Sequence, residues 1–336
     1  MGATAGSIST SANAFTISSV LTGTAGLTKA GASSKTLTLS GANTYTGGTT
    51  ISAGTLKVGN ATALGDSTGA VSITSGAALD MGGTTMTNTN ALTLRGTGIS
   101  SAGALNNSSA NAGTYAGLVT LGSASSIVAG SGNILLSNTG TITGSFGLTL
   151  GGTATGSSIA SIIGTGAGAL TKQGAGTWTL SGANTYTGNT TVSAGILNLG
   201  VNSAVSSSSN VVLSGGTLRS AFSQTLGTLN LTASSTLDLS SGGSFVFADS
   251  SALAGSWTGT LSIIGTFTDL ASVRFGTSDT ALTAGQLSQI TVNGFAAGLD
   301  ASGYLTAATI PEPSTYAALT GVIALGVVAW RRKSGI

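Results

Sequence analysis

Neither cysteine nor histidine occurs in the 336 residues, and proline occurs only 2 times. The two complete absences remove disulfides, thiolate nucleophiles, imidazole bases and the usual zinc and copper ligands. Charge is nearly as scarce: 5% of residues are charged, against about 25% in an ordinary soluble domain. The net charge of +2 is misleading, because 3 of the 10 basic residues are Arg331, Arg332 and Lys333 at the very end. The body is close to neutral. It has no basic stripe for phosphates, which excludes nucleic acid as a partner.

The acidic residues of the body, Asp66, Asp80, Asp238, Asp249, Asp269, Asp279 and Asp300, stand singly. Asp238 lies in a Leu-Asp-Leu alternation and is expected to point outward. Sugar-cleaving enzymes need paired carboxylates, or a carboxylate beside a lysine or arginine, so no enzymatic activity is expected. The glycine-rich residues 164–168 lack the lysine and the strand–helix setting of a phosphate loop, and no cofactor is implied. With so few ionisable groups, folding is expected to depend only weakly on pH between about 5 and 9.

What remains is glycine (54 residues) together with serine, threonine, alanine, asparagine and leucine, and 40% of the chain is apolar. The apolar residues come as alternating pairs: Leu37/Leu39, Leu56/Val58, Val71/Ile73, Leu79/Met81, Leu148/Leu150, Leu197/Leu199, Leu237/Leu239 and others like them. A spacing of two puts both members on one side of a strand. Glycine, asparagine and serine bound each short run and supply turns. The body therefore reads as all-β, with at most a short turn of helix in residues 278–290.

Self-similarity is strong. Residues 27–59 read LTKAGASSKTLTLSGANTYTGGTTISAGTLKVG and residues 170–200 read LTKQGAGTWTLSGANTYTGNTTVSAGILNLG. From Leu39 and Leu180 onward they align without gaps, identical at 16 of 21 positions. Each copy is a set of short strands separated by Ser-Gly-Ala-Asn, glycine and Ser-Ala-Gly corners. One such coil cannot bury its own apolar side, so coils must stack around a shared interior. Coils of roughly 20–25 residues imply about ten to thirteen of them. Leu37, Leu39, Leu56, Val58, Leu180, Leu197, Leu199, Leu229 and Leu237 are assigned to the interior. Asn43/Asn184 and Tyr45/Tyr186 recur in the corners and are read as turn caps and corner packing. Trp178 is read as a core or edge aromatic.

These copies resemble the autotransporter-associated β-strand repeat. The first copy departs from it by a two-residue insertion and by Lys35-Thr36 where tryptophan would stand. The resemblance implies a passenger region of a bacterial surface protein, folded as a right-handed parallel β-helix. The expected organisation is a solenoid over residues 1–265, a capping subdomain over 266–309 marked by Phe267, Phe275 and Phe295, and a tail over 310–336. A membrane β-barrel translocator is not expected in residues 266–336, which are too few for one.

The tail opens with Ile310-Pro311-Glu312-Pro313-Ser314, which holds both prolines. Residues 315–330 follow without a charge, then Arg331, Arg332 and Lys333. As a helix, sixteen residues cover about 24 Å of a core of about 30 Å. The terminal position, the flanking cations and Trp330 favour a single C-terminal transmembrane helix with its basic end in the cytoplasm. The arrangement resembles the PEP-CTERM sorting signal. That resemblance implies that Pro311, Glu312 and Pro313 are the sorting motif, and that Arg331, Arg332 and Lys333 are cytoplasmic stop charges. It also implies an exosortase-type processing enzyme as partner, transient anchoring in the inner membrane, and release to the cell surface or extracellular matrix. Residues 1–15 have neither the basic start nor the apolar core of an export signal, so the chain is expected to be a fragment or to start late. Two functions follow: a structural or adhesive surface protein, or a polysaccharide- or ice-binding module. The second needs a flat outward array of threonines, and the uneven Thr-x-Thr spacing counts against the ice form of it.

Overall fold

The computed structural model describes residues 6–10, 13–32 and 34–307. The sorting motif Pro311, Glu312 and Pro313, the charges Arg331, Arg332 and Lys333, and the transmembrane segment 315–330 lie outside the described residues. Among the described residues no helix is long and apolar enough to cross a membrane.

Alternation explains the local structure. In Thr36–Leu39, Thr55–Val58, Thr177–Leu180 and Ile196–Leu199 every second side chain is buried and the intervening threonine, lysine or asparagine is half-exposed. Such a strand has one apolar side to hide, and it does so by pairing in parallel with the strand one turn later. Leu37 lies opposite Leu56, and Leu197 opposite Leu218. The result is a parallel β-solenoid of about 11 turns, of the right-handed type. Turn length varies: hydrogen bonds link residues 20 apart at Asn43 and 28 apart at Ser108.

The turns have three faces. The first begins with Gly6–Thr10, Leu27–Gly31, Thr49–Ile51, Val71–Ile73 and Leu92–Gly96. The second begins with Phe15–Ile17, Thr36–Leu39, Thr55–Val58, Ala78–Asp80 and Leu105–Asn107. The third contains Gly113–Tyr115, Ile134–Leu136, Ser157–Ile159, Thr177–Leu180, Ile196–Leu199, Thr217–Ser220, Ser235–Leu239, Leu261–Gly265 and Ile290–Val292. The strand Val119–Ala129 runs through a corner. Its start pairs with Leu92–Gly96 on the first face and its end with Leu105–Asn107 on the second, with a register shift between Leu121 and Ser125.

All nine residues assigned to the interior are buried, at 0% exposure. Burying one such leucine is worth roughly 1.5–3 kcal/mol, and stacking makes the interior continuous from Leu27 to Leu305. Aromatics stack too: Phe247 lies between Phe245 and Phe275, with ring centroids 6.1 and 5.1 Å away.

Parallel pairing ends at Ile290–Val292. There the chain turns back through Phe295–Leu299 and Leu305–Ala307, which pair antiparallel. The last parallel strand of the third face is thereby followed by an antiparallel hairpin. Phe275 is buried in this region, Phe267 half-buried and Phe295 exposed. The short helix Ala284–Ser288 is held by a capping box, Thr283 and Gln286 each bonding the other's backbone.

Candidate functional site

Three polar side chains of the repeat point into the solenoid, where two of them fasten backbone and one a threonine hydroxyl. Asn43 accepts from the Leu21 N–H on the preceding turn at 2.9 Å and donates to the Ala63 carbonyl on the following turn at 2.6 Å. Asn184 does the same between Ile163 and Ala204, at 2.6 and 2.5 Å. Each asparagine thus ties three successive turns at a corner where the backbone ladder is interrupted. Tyr45 and Tyr186 are fully buried, with their hydroxyls 2.6 Å from Thr49 Oγ1 and 2.8 Å from Thr190 Oγ1. Burial pushes the Tyr45 hydroxyl up to about 12 and Tyr186 higher still, despite those threonine bonds. The recurring Asn and Tyr are internal ties rather than ligand contacts.

The third tie is a lysine. Lys29 and Lys172 are buried at 0% exposure, and neither forms an ion pair among the described residues. The Lys172 ammonium donates to the carbonyls of Gln173, Gly174 and Ala194 at 3.0, 2.7 and 3.0 Å. Lys29 donates to Ala30 and Ala53 at 2.8 and 2.9 Å. Burial lowers both amines, Lys172 to about 8. The signal was present in Leu-Thr-Lys, where the period of two puts each lysine on the inward side of Leu27 or Leu170.

Trp178 is also fully buried, and its Nε1–H donates to Gly151 O at 2.9 Å. In the first copy the equivalent inward position belongs to Leu37, not to Lys35 or Thr36: the strands Thr36–Leu39 and Thr177–Leu180 have the same burial pattern, with Leu37 and Trp178 second in each.

The scattered aspartates have a common use. Asp66, Asp80, Asp238, Asp249 and Asp300 each accept from the backbone N–H two residues on, at Thr68, Gly82, Ser240, Ser251 and Ser302. They close tight turns as Asx caps. Asp238 corrects the sequence reading: it stands on the outer side of its strand but is covered, only 5% exposed, with a carboxylate oxygen 2.7 Å from Arg219 Nε on the preceding turn. Burial raises its carboxyl, but the Ser240 bonds and Arg219 outweigh this and hold it below the ordinary value.

One cluster brings chemistry-bearing groups together on the second face. Lys57 Nζ donates to Ser108 Oγ at 2.9 Å and lies 3.6 Å from Asp80, while Ser108 donates to Asp80 at 2.6 Å. A lysine that donates to the serine oxygen is not positioned to take its proton. The cluster reads as a tie across turns. Among the described residues no group of three or more acidic side chains could hold a metal ion.

The feature that faces solvent most regularly is a hydroxyl ladder. On the first face Ser7, Thr28, Thr50, Ser72, Thr93, Thr120 and Thr143 lie in unbroken register on the outward side. Adjacent parallel strands set the spacing at about 4.8 Å. The ladder is uncharged, and Thr120 and Thr143 touch through their hydroxyls at 3.2 Å. A shorter ladder, Thr149, Thr171 and Thr191, lies on the second face and ends at Val212. Uneven spacing in the sequence hid this alignment, because loops of different length absorb the difference between turns.

A family model, the passenger-associated-transport-repeat, matches residues 27–58 and 170–199. These are the two copies, so the match supports their reading as autotransporter-associated β-strand repeats. No curated protein and no solved structure matches the chain.

Proposed function

We propose that this chain is a non-catalytic, exported bacterial surface protein whose solenoid is a passenger-like structural or adhesive body. One observation carries the reading: two segments similar to the passenger-associated-transport-repeat are built into one continuous parallel solenoid. The side chains that an active site would use support it, since Asp66, Asp80, Asp238, Asp249 and Asp300 close turns and the buried lysines bond corner carbonyls. In this reading Pro311, Glu312 and Pro313 are the sorting motif cut by an exosortase-type enzyme. Residues 315–330 anchor the precursor in the inner membrane, and Arg331, Arg332 and Lys333 hold its end in the cytoplasm.

The test is expression behind an export signal in a host with an exosortase. Surface protease should then reach the body, and mass spectrometry should find the mature form without Arg331–Lys333. Replacing Pro311, Glu312 and Pro313 by alanine should leave full-length protein in the inner membrane. Surface protein that retains the tail would overturn the sorting part and leave a plain anchor.

The hydroxyl ladder favours a second reading in which the first face binds a neutral polysaccharide of the extracellular matrix. Hydroxyls both donate and accept, and an uncharged row suits an uncharged polymer. A glycan array set beside an ice-recrystallisation assay separates polysaccharide from ice. Thr28→Val, Thr50→Val, Thr93→Val and Thr120→Val together should abolish whichever activity is found. Unchanged activity in that variant would remove the ladder from the account.

A further inference from the structure

The last turns of the first face carry a different surface. The strands Ser223–Leu226, Ser244–Phe247 and Val273–Phe275 pair in parallel, with Thr225, Val246 and Arg274 in one outward row. An antiparallel bridge adds Tyr304 to the end of that row. Beside it lies a cleft of about 340 Å³, lined by Ser207, Thr225, Val246, Ala248, Arg274 and Thr277 among others. That volume is at the small end of ligand sites.

Arg274 is the unusual member. The two ion pairs among the described residues are Lys57–Asp80 and Arg219–Asp238, and Arg274 belongs to neither. Its guanidinium carbon lies 5.4 Å from the centroid of the Tyr304 ring, which fixes the group by cation–π attraction. Its Nε–H is buried without an acceptor among the described residues. Of the carboxylates in the adjoining turns, Asp249 is engaged with Ser251, Asp300 with Ser302 and Tyr304 N–H, and Asp269 with Ala307 N–H, and Asp279 forms no ion pair with Arg274. A buried donor without a partner is rare and calls for an explanation. In a body this poor in charge, an arginine at the wall of a cleft that enters no ion pair among the described residues is poised for a planar oxyanion.

We infer that this cleft is a binding site for an oxyanion carried on a sugar, a uronate carboxylate or a sulfate ester. Arg274 takes the anion and the hydroxyls of Ser207, Thr225 and Thr277 take the ring. Val246 and Ala248 supply apolar contact for a sugar face. The site is separate from the neutral ladder and does not rest on the sorting reading.

The experiment is titration calorimetry on the purified chain with four probes: trigalacturonate, a sulfated galactan trisaccharide, cellotriose and inorganic sulfate. One acidic oligosaccharide is expected to bind at least tenfold more tightly than cellotriose and than sulfate alone, and which of the two does so names the carrier. Arg274→Ala should weaken that binding tenfold or more, Arg274→Lys should recover part of it, and Tyr304→Phe should keep it because the ring remains. Melting curves show whether each variant is folded. If neither acidic probe outbinds cellotriose, if sulfate alone binds as well, or if a folded Arg274→Lys and a folded Arg274→Ala both bind like the parent, the inference is wrong.

Discussion

The two copies of the repeat are nearly the same text, yet they sit on different faces. In the first copy Leu27–Gly31 lies on the first face and Thr36–Leu39 on the second. In the second copy Leu170–Lys172 continues the second face and Thr177–Leu180 the third. The repeat is thus rotated by one face between its two occurrences, and the hydroxyls of its Leu-Thr-Lys and Thr-Thr strands move with it. The internal ties do not change: each copy keeps its buried lysine, its bridging asparagine and its tyrosine–threonine bond. The lesson is that the repeat specifies one coil and its corners, whereas the residues between the copies decide which face that coil meets. A three-faced solenoid accepts either phase, because each face offers the same parallel edge.

The comparison is broken most strongly where the copies differ. Trp178→Ala should destabilise by about 3–5 kcal/mol, as loss of a fully buried aromatic does. Leu37→Ala at the equivalent place should fall at the lower end of the range of about 2–5 kcal/mol for leucine. Urea unfolding measures both, and equal losses would mean that the two coils are packed alike despite the exchange.

The asparagine ties come next. Asn43→Ala and Asn184→Ala each strand a buried N–H and a buried carbonyl, and an unsatisfied buried group costs about 1–3 kcal/mol. Losses of about 2–4 kcal/mol, similar in the two copies, are expected in the same assay. A loss in only one would show that rotation had changed the corner.

The lysines sharpen the comparison through pH. In the unfolded chain Lys172 has its ordinary value near 10.5, and in the fold burial lowers it to about 8. Between these values the unfolded chain holds a proton that the fold has released, so stability rises as pH rises from about 8 to 10.5. Lys172→Met should remove that slope. At pH 7 the burial cost of the charged amine opposes the carbonyl bonds it makes, so the same variant should shift stability there by less than the roughly 1–3 kcal/mol that the lost bonds alone would cost. The effect for Lys29, with two carbonyl partners, is expected to be smaller. On the acid side Asp238, held below its usual value, contributes stability above pH of about 4 that is lost as pH falls further. Asp238→Asn should flatten that limb by about 1 kcal/mol or less.

Much of the fold was legible because alternation, repetition and turn residues all agreed. The pairs from Leu37/Leu39 to Leu237/Leu239 specify strands with one buried side, and the repeat requires stacking. The short helix was legible as well, whereas the sequence left Trp178 between core and edge and the structure places it in the core. Less was visible of the polar interior. Lys29 and Lys172 are hard to recognise as interior because lysine is mostly a surface residue, although their period places them inside. Asp238 was assigned to solvent because its period alone says nothing of Arg219 one turn away. The hydroxyl ladder depends on register between turns of unequal length, and Arg274 meets Tyr304 only through a bridge between distant strands. Neither is written in any local window.

The central claim is the rotated solenoid, and cysteine-free sequence makes it directly measurable. Nitroxide pairs at Thr149→Cys with Thr171→Cys, and at Thr143→Cys with Thr171→Cys, can be compared by continuous-wave electron paramagnetic resonance. Thr149 and Thr171 are register partners on the second face, separated by about 4.8 Å as neighbouring strands are, whereas Thr143 pairs with Thr120 on the first. Strong dipolar broadening for the 149/171 pair and little for the 143/171 pair is the predicted result. The reverse pattern, with Thr171 stacked on Thr143, would place both copies of the repeat in one phase and contradict the account.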